Sequence, residues 1–319
     1  MSRVARNGGS MNLFLLEDGR LRNEWRFVFS VVVVFAMNYA AGMLAATFGG
    51  GRPHLEDVIY RPLVMLLLLG GFAGMARVFD GQESGIPGYL GLPRRGWFRE
   101  TLRGALMGFV LVFIAILVIA VFCQYDIVKF VLNPRTLKLP AVVVLILLTG
   151  AMAEELTFRG YPFQRLVDSL GKVGAIVVLS VLFGAVHLRN PHVSDNRAVQ
   201  VFAFTNTILV GIVFAIAYLR TKALWFPWGL HFSWNITLGL IFGLPVSGIT
   251  DFSVLVHARA HGPAWLLGGG YGIEGGALGT AVMLLGLTYV LLFVHPSAEK
   301  PKPHLDEPTN RSIQPIGTA

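Results

Sequence analysis

The sequence predicts an all-α, polytopic membrane protein with about eight transmembrane helices. Three observations predict it. The 319 residues are 54% hydrophobic and only 14% charged, and the mean hydropathy of +0.64 lies far above that of a water-soluble chain. Apolar runs of about 18 residues or more recur along the whole length. Lysine and arginine sit largely between those runs, as they do in loops that orient membrane spans. Helices follow because a backbone in hydrocarbon must satisfy its own hydrogen bonds.

Taken in order, residues 1–23 carry Arg3, Arg6, Arg20 and Arg22 and read as a cytoplasmic leader. They lack the short apolar core and small-residue cleavage site of a signal peptide. Spans are expected at 24–48, 57–78, 102–123, 140–166, 173–189, 198–219, 226–243 and 275–295, forming one transmembrane domain over 24–295. Residues 80–99, with Gly81, Gly85, Pro87, Gly88, Pro93 and Gly96, form a turn-rich loop. Residues 296–319 carry Pro296, Pro301, Pro303, Pro308 and Pro315 among polar residues and read as a disordered cytoplasmic tail.

The net charge of +8 does not mark a nucleic-acid partner, because the basic residues are dispersed between apolar runs. With the N-terminus inside, alternate segments collect 18 Lys and Arg on the inner side against seven outside, with Arg61 within a span. Both termini are therefore expected on the cytoplasmic side of a bacterial cytoplasmic membrane. A single cysteine, Cys123, excludes a disulfide framework and a multi-cysteine zinc site. Small-residue pairs four apart (Gly70 and Gly74, Gly104 and Gly108, Gly239 and Gly243) suit close helix packing in lipid.

The costly residues are Glu154, Glu155 and Arg159, which follow the apolar run 140–152. Insertion scales charge about 2.5–3.5 kcal/mol for such a residue at a helix centre. Glu155 and Arg159 are four apart and share a helix face, acid before base. Glu154 lies about 100° around the helix and has no such partner at Phe158. Two readings stand: a structural ion cluster, or a Glu155–Arg159 support beside a Glu154 that polarises water. His187, at the end of Phe183-Gly184-Ala185-Val186-His187, is either a hydrogen-bonded packing residue or part of a site. His231 and Asn235 project to one side of the seventh span, as helix–helix glue or as donors to a developing oxyanion. On helical rise, Glu154 and Asn235 are expected near the midpoints of their spans.

Together these residues resemble the CPBP family of intramembrane proteases, the glutamic intramembrane endopeptidases that include CaaX prenyl endopeptidases and bacterial proteins of bacteriocin processing or immunity. Three motifs carry the resemblance: Glu-Glu-x-x-x-Arg at Glu154, Glu155 and Arg159; Phe-x-x-x-His at Phe183 and His187; and His-x-x-x-Asn at His231 and Asn235. It covers about residues 140–245, the implied catalytic core, and more loosely the Gly-rich 262–276 stretch containing Glu274. The resemblance implies an eight-helix bundle hydrolysing a peptide bond in a membrane-associated or lipidated substrate. Glu154 would activate water, His187 would position it, and His231 and Asn235 would stabilise the oxyanion. Glu155, Arg159 and Phe183 would support them.

No Gly-x-Ser-x-Gly, no Gly-x-Gly-Asp to join Tyr125-Asp126, and no His-Glu-x-x-His occurs in the chain. No cofactor is required on this reading. A zinc ion held by Glu154, His187 and His231 is the chemical alternative, since two histidines and a carboxylate form a known catalytic set. The competing functions are a proton- or solute-coupled transporter using the same polar residues as a relay, and a non-catalytic membrane scaffold or immunity protein. The expected partners are the lipid bilayer and a membrane-associated protein or peptide.

Overall fold

The computed structural model describes residues 13–16, 19–131 and 138–296. The expectations for the leader up to residue 12 and for the tail from residue 297 lie outside the described residues. Ten helices and two strands run in the order α1 (Asn23–Gly49), α2 (Pro53–Asp80), α3 (Ile86–Tyr89), α4 (Trp97–Phe122), β1 (Gln124–Phe130), α5 (Lys138–Arg159), α6 (Tyr161–His187), α7 (Arg197–Thr221), α8 (Trp225–Ile236), β2 (Val256–His261), α9 (Ala264–Leu267) and α10 (Ala277–Phe293). A π-helical turn, Thr237–Ile241, continues α8. Among the described residues, five stretches are long and apolar enough to cross a membrane, one of which, Lys138–His187, contains both α5 and α6. With the 12-residue α8, prolonged by the π turn, and the 17-residue α10, these give eight helices where eight spans were expected.

The helix starts and stops follow from local chemistry. Pro53 opens α2 at a position where its missing N–H costs nothing, and Gly81 ends it in the left-handed conformation, φ 65°. The expected single span 140–166 is instead divided at Gly160. Pro162 cannot continue α5, because its ring would meet the carbonyl four residues back, but it fits the first turn of α6. A second interruption falls at Gly171, where φ 74° and ψ 172° leave the helical region inside α6. The next expected span, from residue 173, therefore begins two residues beyond this break. The acidic pair accordingly lies in the last two turns of α5, not at mid-span.

Residues 80–99 hold the short α3 among their turns. The antiparallel pairing of β1 with β2 is an addition to the expected fold: it joins the end of α4 to the loop before α10, with Gln124 opposite His261 and Phe130 opposite Val256.

Glycines explain the closest helix contact. At Gly104 a β-carbon would collide with the Phe226 carbonyl oxygen, and at Gly108 it would lie 2.6 Å from the Leu230 carbonyl oxygen. Gly229 meets the Thr101 carbonyl in the same way. Both elements of the α4–α8 contact therefore dispense with side chains, as close packing in lipid favours. The other two expected pairs differ. A β-carbon at Gly70 or Gly74 would meet nothing within 4 Å. Gly243, at φ 66°, serves a turn pressed against the Val256 carbonyl.

Two large apolar cores result, one around α4, α7, α8 and α10, the other around α1, α2, α5 and α6, beside two smaller clusters. Asp80 fastens the second at one end of the bundle. Its Oδ1 accepts from Arg26 Nη1 at 2.6 Å and Arg165 Nη1 at 3.0 Å, tying α1, α2 and α6 together. Arg165 thus belongs to this lock rather than to the acidic pair.

Candidate active site

Between the two cores lies a cavity of about 620 Å³, to which α1, α2, α5, α6, α7 and α8 contribute. Glu154, Phe183, His187, His231 and Asn235 all line it. The ordered motifs of three separate helices therefore meet in one place.

The two glutamates differ in access. The Glu155 side chain is fully buried, whereas that of Glu154 is 32% exposed. Glu155 Oε1 accepts from His231 Nδ1 at 2.9 Å and lies 3.5 Å from Arg159 Nη1. The four-residue spacing on α5 makes the second contact, and the second turn of α8 delivers the first. Because an ionised carboxylate only accepts, His231 carries its proton on Nδ1 in this contact. His231 Nε2 then points towards Glu154, 3.7 Å from Oε2. One imidazole thus spans the buried and the accessible carboxylate.

Arg159 is held from every side. Its Nη2 donates to the Gly211 carbonyl at 3.2 Å. Its guanidinium carbon lies 4.5 Å from the Phe183 ring centre and 5.0 Å from that of Phe214, a cation–π arrangement that offsets part of its desolvation. Phe214 also stacks on His231 with 5.1 Å between ring centres. Phe183 packs edge-on to His187 at 4.5 Å. His187 Nδ1 is taken by the Phe183 carbonyl at 2.8 Å, so its Nε2 remains for the cavity. Both imidazoles are oriented through Nδ1 and present Nε2. Asn235 makes no side-chain hydrogen bond among the described residues, and it immediately precedes the last residue of α8 before the π turn.

Comparison with known proteins falls on the same region. Residues 136–237 match the family model described as type II CAAX prenyl endopeptidase, Rce1-like. This segment of the chain is Rce1-like. The Rce1-like segment contains every motif residue named above, from Glu154 to Asn235, and is consistent with the CPBP resemblance read from them. It stands within an integral membrane protein, and the family is a protease family, which supports a hydrolase. Neither a curated protein nor a solved structure matches the chain.

Some residues of the cavity were not singled out from sequence. Glu274, in the Gly-rich stretch, accepts from Trp234 Nε1 at 2.9 Å, from Ser247 Oγ at 2.8 Å and from the Ser247 backbone N–H. It clasps the loop after the π turn to α8, beside Asn235. Asn206 holds the same loop by donating to the Glu274 and Gly276 carbonyls, each at 2.9 Å. On the far wall, Tyr60 donates to Asn38 at 2.6 Å, next to Arg61. Arg61 was visible in the sequence as a charge inside an apolar run, the signal that also marked Glu154. Among the described residues, no group of three or more His, Cys, Asp and Glu is placed to hold a metal ion.

Proposed function

We propose that this protein is an intramembrane endopeptidase that hydrolyses a peptide bond with water activated by Glu154. The observation that carries the reading is the division of labour between adjacent glutamates. Glu155 is sealed off and spent on His231 and Arg159, while Glu154 faces the cavity with no ion pair along its own helix. A general base must reach a water. Glu154 does so from the open cavity, and the His231 ring that faces it stays 3.7 Å from Oε2, outside hydrogen-bond distance.

The remaining roles follow from direction. His187 Nε2 holds the attacking water together with Glu154. His231 and Asn235, one helical turn apart on α8, supply donors to the oxyanion that forms when the water adds to the carbonyl. For His231 to donate from Nε2 while Nδ1 donates to Glu155, the ring is the imidazolium, with Glu155 as its counterion. The proton taken by Glu154 then passes to the departing amine. The reading is metal-free: Glu154 serves as base and not as ligand. The substrate is a membrane-associated or lipidated protein whose extended segment enters the cavity between the two cores, and both termini of the protein face the cytoplasm.

Comparing the membrane peptides that accumulate in cells carrying Glu154→Ala with those in cells carrying the intact protein tests the function. An endopeptidase leaves uncleaved precursors in the variant, and their fragments only with the intact protein. Identical peptide sets, with a pH-dependent flux in liposomes instead, would establish a transporter.

A further inference from the structure

Arg61 stands apart from the other cations of the interior. Arg26, Arg159 and Arg165 are buried, and each contacts a carboxylate within 3.5 Å. Arg61 lines the cavity and makes no hydrogen bond or ion pair among the described residues, and its Nε is buried without a partner. Asp57, one turn away on α2, is exposed and does not pair with it. A cation placed inside a span at such a cost is retained for an anion or a functional contact.

Its position is set by α5. A β-carbon at Gly150 would lie 3.5 Å from Arg61 Cδ and 3.6 Å from Nη1, ordinary van der Waals contact, so the guanidinium packs directly against α5 at Gly150. Gly150 precedes Glu154 by four residues, about 6 Å along the helix, and both line the cavity. Asn38 and Tyr60, hydrogen-bonded to each other at 2.6 Å, add polar atoms beside Arg61 on the same wall. The rest of this wall is apolar, with Val34, Val64 and Leu68. The carboxylates in and beside the cavity have other contacts: Glu155 with Arg159 and His231, Glu154 facing His231, and Glu274 with Trp234 and Ser247, so none pairs with Arg61 among the described residues.

We infer that Arg61, with Asn38 and Tyr60, is the substrate-carboxylate subsite of this cavity. The inference rests on the peptidase reading and adds a specificity determinant from α1 and α2, outside the Rce1-like segment. A guanidinium offers paired donors in the plane that a carboxylate accepts. An extended chain advances about 3.3–3.6 Å per residue, so a carboxylate held over Gly150 lies about two residues from the bond addressed by Glu154. It is supplied either by the free C-terminus of the peptide or by an acidic side chain.

The test uses the full chain in detergent, bearing Glu154→Gln so that bound peptide stays intact. It is presented with a degenerate library of apolar peptides, half ending in a free carboxylate and half in a carboxamide, and retained peptides are read by mass spectrometry. Free-carboxylate peptides should be retained about 10-fold over amides, the size of one charge-assisted hydrogen bond. Adding Arg61→Gln should abolish the preference, and Arg61→Lys should keep part of it. Amidated peptides retained through an internal acidic residue, again only with Arg61, would assign the carboxylate to a side chain. Equal retention of the two halves, including none of either, would overturn the inference, as would a preference that survives Arg61→Gln or Arg61-dependent retention of a phospholipid in place of peptide. A protein that selects carboxylates but, with Glu154 intact, hydrolyses none of them keeps the subsite and loses the peptidase reading.

Discussion

Glu155 on α5 and His231 on α8 are joined by a hydrogen bond of 2.9 Å between residues 76 positions apart in sequence. The contact does two things at once. It fixes the ring so that Nε2 faces Glu154, and it gives the buried Glu155 a second partner beside Arg159. Removing the charge of Glu155 leaves the Arg159 guanidinium buried against the Gly211 carbonyl and the rings of Phe158, Phe183 and Phe214.

Glu155→Gln is therefore expected to destabilise the protein by about 3–5 kcal/mol, the usual cost of breaking one side of a buried pair. Folded yield and thermal midpoint in detergent should fall together with activity. A variant that folds as well as the intact protein and is inactive would assign Glu155 a direct part in the chemistry.

Asn235 has no other hydrogen-bonding duty among the described residues, so its loss should register in the chemical step. Asn235→Ala is expected to lower kcat by about 10²–10³-fold, as for other oxyanion donors, with little change in KM. A rise in KM at unchanged kcat would make it a substrate-binding residue instead.

The α4–α8 contact carries the site indirectly, because α8 holds both His231 and Asn235. Gly104→Leu and Gly108→Leu would drive a side chain into the α8 backbone, with overpacking costs of about 1–3 kcal/mol or more. Both should lose activity and stability. Gly70→Ala, where a β-carbon meets nothing within 4 Å, should be neutral or slightly stabilising. Equal effects at the three positions, measured by thermal midpoint, would contradict this assignment of the glycines.

Most of this bundle was legible in the sequence, for one reason. Apolar runs long enough to span hydrocarbon mark α1, α2, α4, α7 and α10 directly, and helical spacing placed Glu155 against Arg159. What escaped was non-local or turned on single residues. The division of α5 from α6 at Gly160 interrupts an apolar run by one position, so hydropathy averaged over a window passes across it. The pairing of β1 with β2 joins segments more than a hundred residues apart; Val256–His261 alternates apolar and polar, but six such residues do not name a partner strand at that distance. The His231–Glu155 hydrogen bond depends on how α8 crosses α5, which spacing within one helix does not encode. Arg61 was visible as a charge, but its lack of a partner is a property of the packed bundle.

The metal-free mechanism separates from its zinc alternative by a simple measurement. Activity of the purified protein should survive prolonged treatment with a strong chelator and should not depend on added zinc. Loss of activity restored by one equivalent of zinc would replace the base mechanism with a metal-bound hydroxide at the same residues.

The central claim is that Glu154 is the base. Glu154→Gln preserves its shape and much of its hydrogen bonding but cannot accept the proton, and the Glu155–Arg159 pair of α5 does not involve Glu154, whose ionic contact is with His231 Nε2 at 3.7 Å. The most direct measurement is kcat of the purified variant on a peptide cleaved by the intact protein, with thermal midpoints measured in parallel. A fall of at least about 10²-fold in kcat with an unchanged midpoint is the expected result. Retention of more than about a tenth of the intact rate in a folded Glu154→Gln protein would contradict the claim, since no general base could then be removed so cheaply.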